Sequence, residues 1–141
     1  MIYRREIQVE FNHCDPAGIV FYPRYFEMTN SVVENFFAEA LNYPFRRMHM
    51  EEGTGVPTVR IEADFTAPSR LGDILIFSLE VERIGGASAT LLLRASGRGE
   101  EGERLAARIT LVWVTRGRGA TAWPEEVRQR METYLSSPMA G

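Results

Sequence analysis

The segment PRYFEMTNSVVENFFAEAL, residues 23–41, decides the fold because it is the one long stretch of the chain with a helical pattern. Its apolar side chains recur three or four positions apart, whereas Glu27, Asn30 and Glu34 fall on the opposite side. Pro23 stands where a helix tolerates proline best, in the first turn. The apolar positions are Tyr25, Phe26, Met28, Val32, Val33, Phe36, Phe37, Ala40 and Leu41. The segment therefore predicts a helix with a broad apolar face that is mostly buried.

The segments on both sides of this helix have the two-residue period of strands. Apolar and polar residues alternate over 3–11 before the helix, and over 59–65, 75–81, 91–95 and 105–113 after it. The connections PSRLGD, IGGA and GRGEEGE are short and rich in turn residues, which predicts that consecutive strands pair antiparallel. A last helix is predicted over 124–135, with Val127, Met131, Tyr134 and Leu135 as its buried stripe.

Together these elements predict an α+β fold, in which one face of a five-stranded antiparallel sheet packs against the long helix. A chain of 141 residues has the size of one domain, so residues 1–141 are expected to share a single core. Apolar residues also lie on the other face of the sheet. Because monomers seldom expose large apolar patches, these residues predict that another subunit covers that face. They are Ile74, Ile76, Leu92, Val112 and Val114.

The composition narrows the function classes. A net charge of −3 gives no basic footprint for a nucleic-acid partner. All 16 basic residues are arginine, so Schiff-base and lysine general-base chemistry are excluded. No apolar run approaches the ~20 residues that cross a membrane, and the first residues lack the apolar stretch of a signal peptide. We therefore expect a soluble protein, and the single cysteine is ordinary for a cytoplasmic one.

The segment HCDPAG, residues 13–18, contains the side chains best suited to catalysis. Cys14 beside His13 suggests a nucleophile and its base, but neighbouring residues of an extended segment point to opposite sides. The adjacent carboxylate of Asp15 also disfavours the thiolate that attacks. No metal-ligand spacing is present, since His49 is the one further histidine. We expect neither a metal nor another cofactor, and we expect Cys14 to be a packing residue.

Asp15 has two interpretations that the local sequence leaves open. It follows the first predicted strand and precedes the long helix, and Pro16 and Gly18 restrict the segment around it. An aspartate in such a segment often only stabilises the turn through hydrogen bonds to its own backbone. A carboxylate at this position could equally act as a nucleophile or general base.

The motif CDPAGIVFYPRYFEM, residues 14–28, resembles the signature of the 4-hydroxybenzoyl-CoA thioesterase family, whose members have the hotdog fold. The resemblance is specific over residues 9–28 and extends further through the order of the elements. It implies a sheet wrapped around one central helix, and acyl-CoA hydrolysis. It also implies that Asp15 is the catalytic carboxylate and that the backbone N–H of Tyr22 polarises the thioester. Gly18, Val20 and Phe21 would then lie against the acyl group.

The resemblance also implies an oligomer in which the site lies between subunits, with dimers that pair again into a homotetramer. One departure concerns the basic cluster that meets the CoA phosphates near the turn after the third strand. This chain has Gly85, Gly86 and Ala87 there, which leaves Arg83, Arg116 and Arg118 as candidate replacements. Two other functions stay open: a hotdog protein that binds acyl-CoA or another small molecule without turnover, and a dehydratase, although no Asp-His pair is evident.

Overall fold

The computed structural model describes residues 1–136. The chain begins with strand β1 (Tyr3–Gln8) and a short 3-10 turn (Phe11–His13), and the long helix α1 (Arg24–Asn35) follows. A π-helical turn (Phe36–Ala40) extends α1, and a second one spans Arg47–Glu52. The remaining elements are β2 (Thr54–Gly55), β3 (Thr58–Phe65), β4 (Ile74–Ile84), β5 (Ser88–Gly97), β6 (Glu103–Val112), β7 (Val114–Thr115), β8 (Gly119–Ala120) and α2 (Glu125–Glu132).

The long helix is buried as its pattern predicts. Met28, Val32 and Phe36 are at most 2% exposed, at positions four residues apart on one face. Thr29 is also buried, and its hydroxyl donates to the carbonyl of Phe26 within the helix. The helical segment ends at Asn42, which has a positive φ of 53°.

Five strands form one antiparallel sheet in the order β1-β4-β5-β6-β3. Two of the short connections are hairpins as predicted, because β4 pairs with β5 and β5 with β6. The prediction for PSRLGD is wrong, since β3 pairs with β6 and β4 pairs with β1. That segment therefore carries the chain from one side of the sheet to the other instead of closing a hairpin. A second, small sheet joins β2, β7 and β8.

One face of the large sheet supplies the core against which α1 packs. Alternate residues of β4, β5 and β6 point to this face, and their side chains are nearly inaccessible to solvent. The rings of Tyr3 in β1 and Phe36 lie 5.5 Å apart, which ties the edge of the sheet to the helix. The inward residues of the three central strands are Leu75, Phe77, Leu79, Val81, Ala89, Leu91, Leu93, Ala95, Leu105, Ala107, Ile109 and Leu111. The sheet wraps around the helix, and this is the hotdog fold.

Strand β3 differs from its prediction because it lies at the edge of the sheet. Its alternating apolar residues are not buried in the single chain: Val59 is 59% exposed, Ile61 39% and Phe65 41%. An edge strand also presents unpaired backbone groups, which makes it a template for pairing with another strand.

The ends of two predicted elements also differ. The first strand stops at Gln8, and Phe11 lies in the 3-10 turn with 83% of its surface exposed. The C-terminal helix ends at Glu132, so Leu135 is 41% exposed although Val127 and Met131 are buried as expected. Within residues 1–136, no helix combines the length and the apolar character that a membrane crossing requires.

Candidate active site

Asp15 lies in a tight turn between β1 and α1. Its carboxylate oxygen Oδ1 accepts a hydrogen bond of 2.9 Å from the N–H of Ala17, and its carbonyl accepts one of 2.9 Å from the N–H of Gly18. The N–H of Asp15 donates to the carbonyl of Ile19 over 2.9 Å, which closes the turn. Gly18 adopts φ = +80°, a left-handed conformation that side chains disfavour. The turn-forming role that the sequence left open is therefore present.

The turn engages only one of the two carboxylate oxygens of Asp15. Asp15 is half-buried, and within residues 1–136 its second oxygen, Oδ2, has no hydrogen-bond donor and no arginine paired with it. The carboxylate borders an open, mostly apolar depression of about 440 Å³. The other lining residues are Phe11, Cys14, Pro16, Gly18 and Leu71. One oxygen of Asp15 thus fixes the turn, and the other is available for a reaction.

The start of α1 leaves one backbone donor unused. The N–H of Arg24 donates to Phe21, that of Tyr25 to Tyr22, and that of Phe26 to Pro23, in each case to the carbonyl three residues earlier. Pro23 has no N–H. Over the described residues, the N–H of Tyr22 makes no hydrogen bond, and it lies at the positive end of the helix dipole.

Aromatic side chains join the helix start to the end of the edge strand. The Phe65 ring at the end of β3 lies 5.8 Å from that of Tyr22 and 5.5 Å from that of Tyr25, where it stacks. Phe21 lies against Tyr22 with ring centroids 5.7 Å apart. Phe21 and Tyr22 are 49% and 58% exposed, an unusual degree for neighbouring aromatic residues. The helix start is therefore continuous with the exposed edge of the sheet.

His13 and Cys14 do not form a catalytic pair. The Nδ1 atom of buried His13 accepts a hydrogen bond of 2.9 Å from the N–H of Glu10, so the imidazole caps the 3-10 turn. The thiol of Cys14 donates instead to the carbonyl of Glu10, over 3.6 Å. The two side chains are engaged separately, as their opposite directions along the chain predict.

The remaining site residues of the sequence analysis lie in different surroundings. Val20 is 8% exposed and belongs to the core. Arg83 is exposed beside the turn that connects β4 and β5. Arg116 lines a separate groove with His49 and Thr54. In the single chain, Asp15 and Gly18 are thus the predicted residues that share the depression.

Phe11 and Leu71 line the depression, although the sequence predicts no role in the site for either of them. The sequence pattern places Phe11 in a half-buried first strand and Leu71 in a hairpin connection. The available signal was weak: Leu71 is the one apolar residue with a large side chain in the polar connection PSRLGD. Among residues 1–136, no three His, Cys, Asp or Glu side chains come close enough to hold a metal ion together.

The sheet wrapped around a helix, with a half-buried carboxylate and an unused N–H before the helix, defines a hotdog-fold protein with a candidate acyl-transfer site. A sequence model of the thioesterase-like superfamily matches residues 9–131, and the chain belongs to this superfamily. The chain is 35% identical over 69 residues to the 4-hydroxybenzoyl-CoA thioesterase of Pseudomonas sp. (strain CBS-3). That match covers 48% of this chain and 49% of the relative, about half the length of each.

Solved structures confirm the fold over nearly the whole chain. A 1,4-dihydroxy-2-naphthoyl-CoA thioesterase from Synechocystis superposes with a TM-score of 0.85 at 18% identity, over 93% of this chain and 96% of that one. The 4-hydroxybenzoyl-CoA thioesterase from Pseudomonas sp. strain CBS-3 superposes with a TM-score of 0.83 at 24% identity, over 92% and 98%. At these identities the likeness concerns the fold alone.

Proposed function

We propose that this protein is an acyl-CoA thioesterase that hydrolyses an aromatic or short-chain acyl-CoA to the free acid and CoA. The observation that carries the proposal is a carboxylate with one free oxygen, on Asp15, in the turn that leads to an unused backbone donor at the start of α1. Superfamily membership supports the reaction class, and the curated relative acts on an aromatic acyl-CoA.

Asp15 promotes the attack on the thioester in one of two ways. Either its free oxygen attacks the thioester carbonyl directly, or it removes a proton from the water that attacks. In the first route an acyl-aspartyl anhydride forms as the thiolate of CoA leaves, and water then hydrolyses the anhydride. In the second route the C–O bond forms from water and the C–S bond breaks without an intermediate on the enzyme. Both routes end in the same products, a carboxylate and the thiol of CoA.

The N–H of Tyr22 supports the charge that develops on the thioester oxygen. A donor fixed at a helix start needs no reorganisation during the reaction, and the helix dipole favours negative charge there. The N–H groups of the first helical residues are already engaged within the first turn. The Tyr22 N–H is therefore the donor that the helix start offers to a substrate.

The surroundings of Asp15 favour an apolar acyl group. Phe11 and Leu71 are 83% and 52% exposed in the single chain and border the depression beside the carboxylate. An acyl group that covers them would remove apolar surface from water. An aromatic acyl group fits these contacts and matches the substrate class of the curated relative. Arg83 and Arg116 remain our candidates for the CoA phosphates.

The proposal includes an oligomer. The exposed edge of β3 and the exposed aromatic residues at the helix start form one continuous surface, which a second copy would cover by pairing its own β3. The half-buried residues Ile74, Ile76 and Leu92 on the outer sheet face would then support the pairing of dimers into a tetramer. We expect the assembled protein to act in the cytoplasm.

Hydrolysis of a panel of aromatic, short-chain and long-chain acyl-CoAs tests the reaction. We expect Asp15→Asn to abolish turnover of the best substrate and Cys14→Ala to retain most of it. The reverse pattern would refute the assignment of Asp15. Titration calorimetry with a non-hydrolysable acyl-CoA accompanies the assay, because binding without turnover across the panel would establish a non-catalytic binding protein instead.

The role of the backbone at Tyr22 needs a different pair of variants. Tyr22→Phe removes the hydroxyl and keeps the N–H, so it should turn over substrate nearly as fast as the wild type. Tyr22→Pro removes the N–H, and the loss of one such donor typically reduces turnover about 10²- to 10³-fold. Equal losses in the two variants would point to the side chain and contradict the proposed donor.

A further inference from the structure

Arg104 in β6 has an unusually complete set of partners for an arginine near the surface. Its side chain is 11% exposed. The Nη1 atom donates to the Pro68 carbonyl over 3.2 Å, the Ser69 hydroxyl over 3.1 Å and the Asp73 carboxylate over 3.0 Å. The Nη2 atom donates to the Glu100 carboxylate over 2.7 Å. One guanidinium thus holds both ends of the loop 68–73.

This loop lies directly against the acidic turn. The N–H of Val20 donates to the Ser69 carbonyl over 2.9 Å, and the N–H of Leu71 donates to the Gly18 carbonyl over 3.0 Å. Ile19 and Arg70 lie opposite each other between these two bonds, in an antiparallel bridge. The loop therefore adds a short strand-like partner to the segment that follows Asp15.

The same loop also reaches the neighbouring elements of the site. The buried Tyr25 in the first turn of α1 donates its hydroxyl to the Ser69 hydroxyl over 2.9 Å. The N–H of Val9, the residue that follows β1, donates to the Asp73 carbonyl over 2.8 Å. The loop thus contacts the segment before Asp15, the segment after it and the helix start.

We propose that Arg104 is a positioning residue of the active site, which fixes the loop 68–73 and through it the distance between the Asp15 carboxylate and the Tyr22 N–H. The proposal rests on the proposed function for its effect on turnover. Arg104 touches none of the reacting groups, and its effect on Asp15 passes through the hydrogen bonds between the loop 68–73 and the segments on both sides of Asp15.

The chemistry of arginine suits this task. A guanidinium presents five donors in a rigid fork, whereas an ammonium group is a single point of charge that cannot reach a carbonyl, a hydroxyl and two carboxylates with the same geometry. Asp73 is held as an anion, since the N–H of Arg70 and then the Arg104 guanidinium lower the pKa of its carboxyl against the effect of burial. The four partners fix the guanidinium, and through it Pro68, Ser69 and Asp73 are held to one group.

Steady-state kinetics of Arg104→Met and Arg104→Lys test the proposal, on the best acyl-CoA substrate and at a temperature where each variant is fully folded. Misplacement of a reacting group by about 1 Å costs turnover of the order of 100-fold. We expect kcat to fall about 10- to 100-fold in Arg104→Met with KM nearly unchanged, and less in Arg104→Lys. The matched control is Arg98→Met, which removes a surface ion pair of 3.3 Å with Glu6 and should retain kcat.

Two further measurements separate positioning from general destabilisation. In the Tyr22→Pro background, which should keep a measurable rate, Arg104→Met should lower turnover by a smaller factor than in the wild type, because the donor whose distance from Asp15 it fixes is gone. Amide hydrogen exchange at Val20 and Leu71 should accelerate in Arg104→Met, while exchange in the central strands stays as in the wild type.

The outcomes are distinguishable. Unchanged kcat in Arg104→Met, or an additive loss in the Tyr22→Pro background, overturns the positioning role while the wild-type thioesterase activity stands. If the wild type hydrolyses no acyl-CoA, the proposed function fails. Unaltered exchange at Val20 and Leu71 would then overturn the bracing role of Arg104 as well, and faster exchange there would support it independently of the reaction.

Discussion

Gly18 offers the most direct test of how the acidic turn is built. Its φ of +80° lies in the left-handed region, and a Cβ added to it would meet nothing within 4 Å. A side chain at this position therefore causes backbone strain without a steric clash. The strain of a left-handed L-residue is about 1–2 kcal/mol.

The chain contains a matched control at Gly86. This glycine also has nothing within 4 Å of an added Cβ, and its φ is not in the left-handed region. Replacement of either glycine by alanine removes unfolded-state entropy, which alone stabilises a protein by about 0.4–1 kcal/mol. This gain cancels when the two variants are compared, so Gly18→Ala should be less stable than Gly86→Ala by the strain itself, about 1–2 kcal/mol.

Urea denaturation at one fixed protein concentration measures the two free energies of unfolding. Gly86→Ala should match or exceed the wild type, and Gly18→Ala should fall below it. Gly18→Asn should lie close to the wild type, since asparagine tolerates the left-handed region. Equal stability of Gly18→Ala and Gly86→Ala would refute the strained turn and, with it, the geometry that aims Asp15 towards the depression.

Three other predictions concern the core, the loop 68–73 and the edge strand. Phe36 is fully buried against Tyr3 and Tyr134, so Phe36→Ala should lower the free energy of unfolding by about 3–5 kcal/mol. Met50 is 77% exposed, so the control Met50→Ala should change the free energy of unfolding by less than about 0.5 kcal/mol. Similar urea midpoints for the two variants would contradict this expectation. The pKa of the Asp73 carboxyl is lower in the folded protein than its ordinary value of 3.8, so its ionised form stabilises the fold at pH values above 3.8. This stabilisation is lost as the pH falls through the lower, folded pKa. The difference in unfolding free energy between the wild type and Asp73→Asn should therefore narrow below pH 3.8. A gap that stays constant down to the acid transition would disprove that linkage. Ile61 in β3 is 39% exposed, and Ile61→Glu places a carboxylate on this edge, so the variant should give monomers without acyl-CoA hydrolysis. The control Leu135→Glu, at a similar exposure of 41%, should still assemble. Sedimentation velocity distinguishes the two, and an assembled, active Ile61→Glu protein would rule out pairing through this edge.

The sequence predicted the elements whose pattern reflects burial in the single chain. The helix was readable because Met28, Val32 and Phe36 all face one core. The alternation over 59–65 was equally regular, yet β3 is exposed at the sheet edge. Alternation of apolar and polar residues shows that one face of a strand is apolar but not what covers that face. It therefore cannot distinguish an inner strand from an edge strand.

The order of the strands required information that local patterns do not contain. PSRLGD has the composition of a hairpin turn, and nothing in it indicates that β4 pairs with β1. The contacts that fix this loop come from Arg104, more than 30 positions away in the chain, and from the turn at Gly18. Such pairings depend on which distant groups meet after folding, and a single sequence gives no measure of that.

The same limit explains what could be predicted of the site. The sequence placed Asp15 in a turn and Tyr22 before a helix, and the first hydrogen bonds of α1 show why the Tyr22 N–H is the donor left over. Local chemistry alone leaves Asp15 between a turn-forming and a catalytic role, and the geometry shows the first role and is compatible with the second. One oxygen accepts from Ala17 and holds the turn, so the carboxylate is fixed in direction while the other oxygen stays free. In the proposed mechanism, a carboxylate held in this way has already lost the rotational freedom that would otherwise oppose attack on a bound thioester, so the hydrogen bond that forms the turn would also orient Asp15 for the reaction.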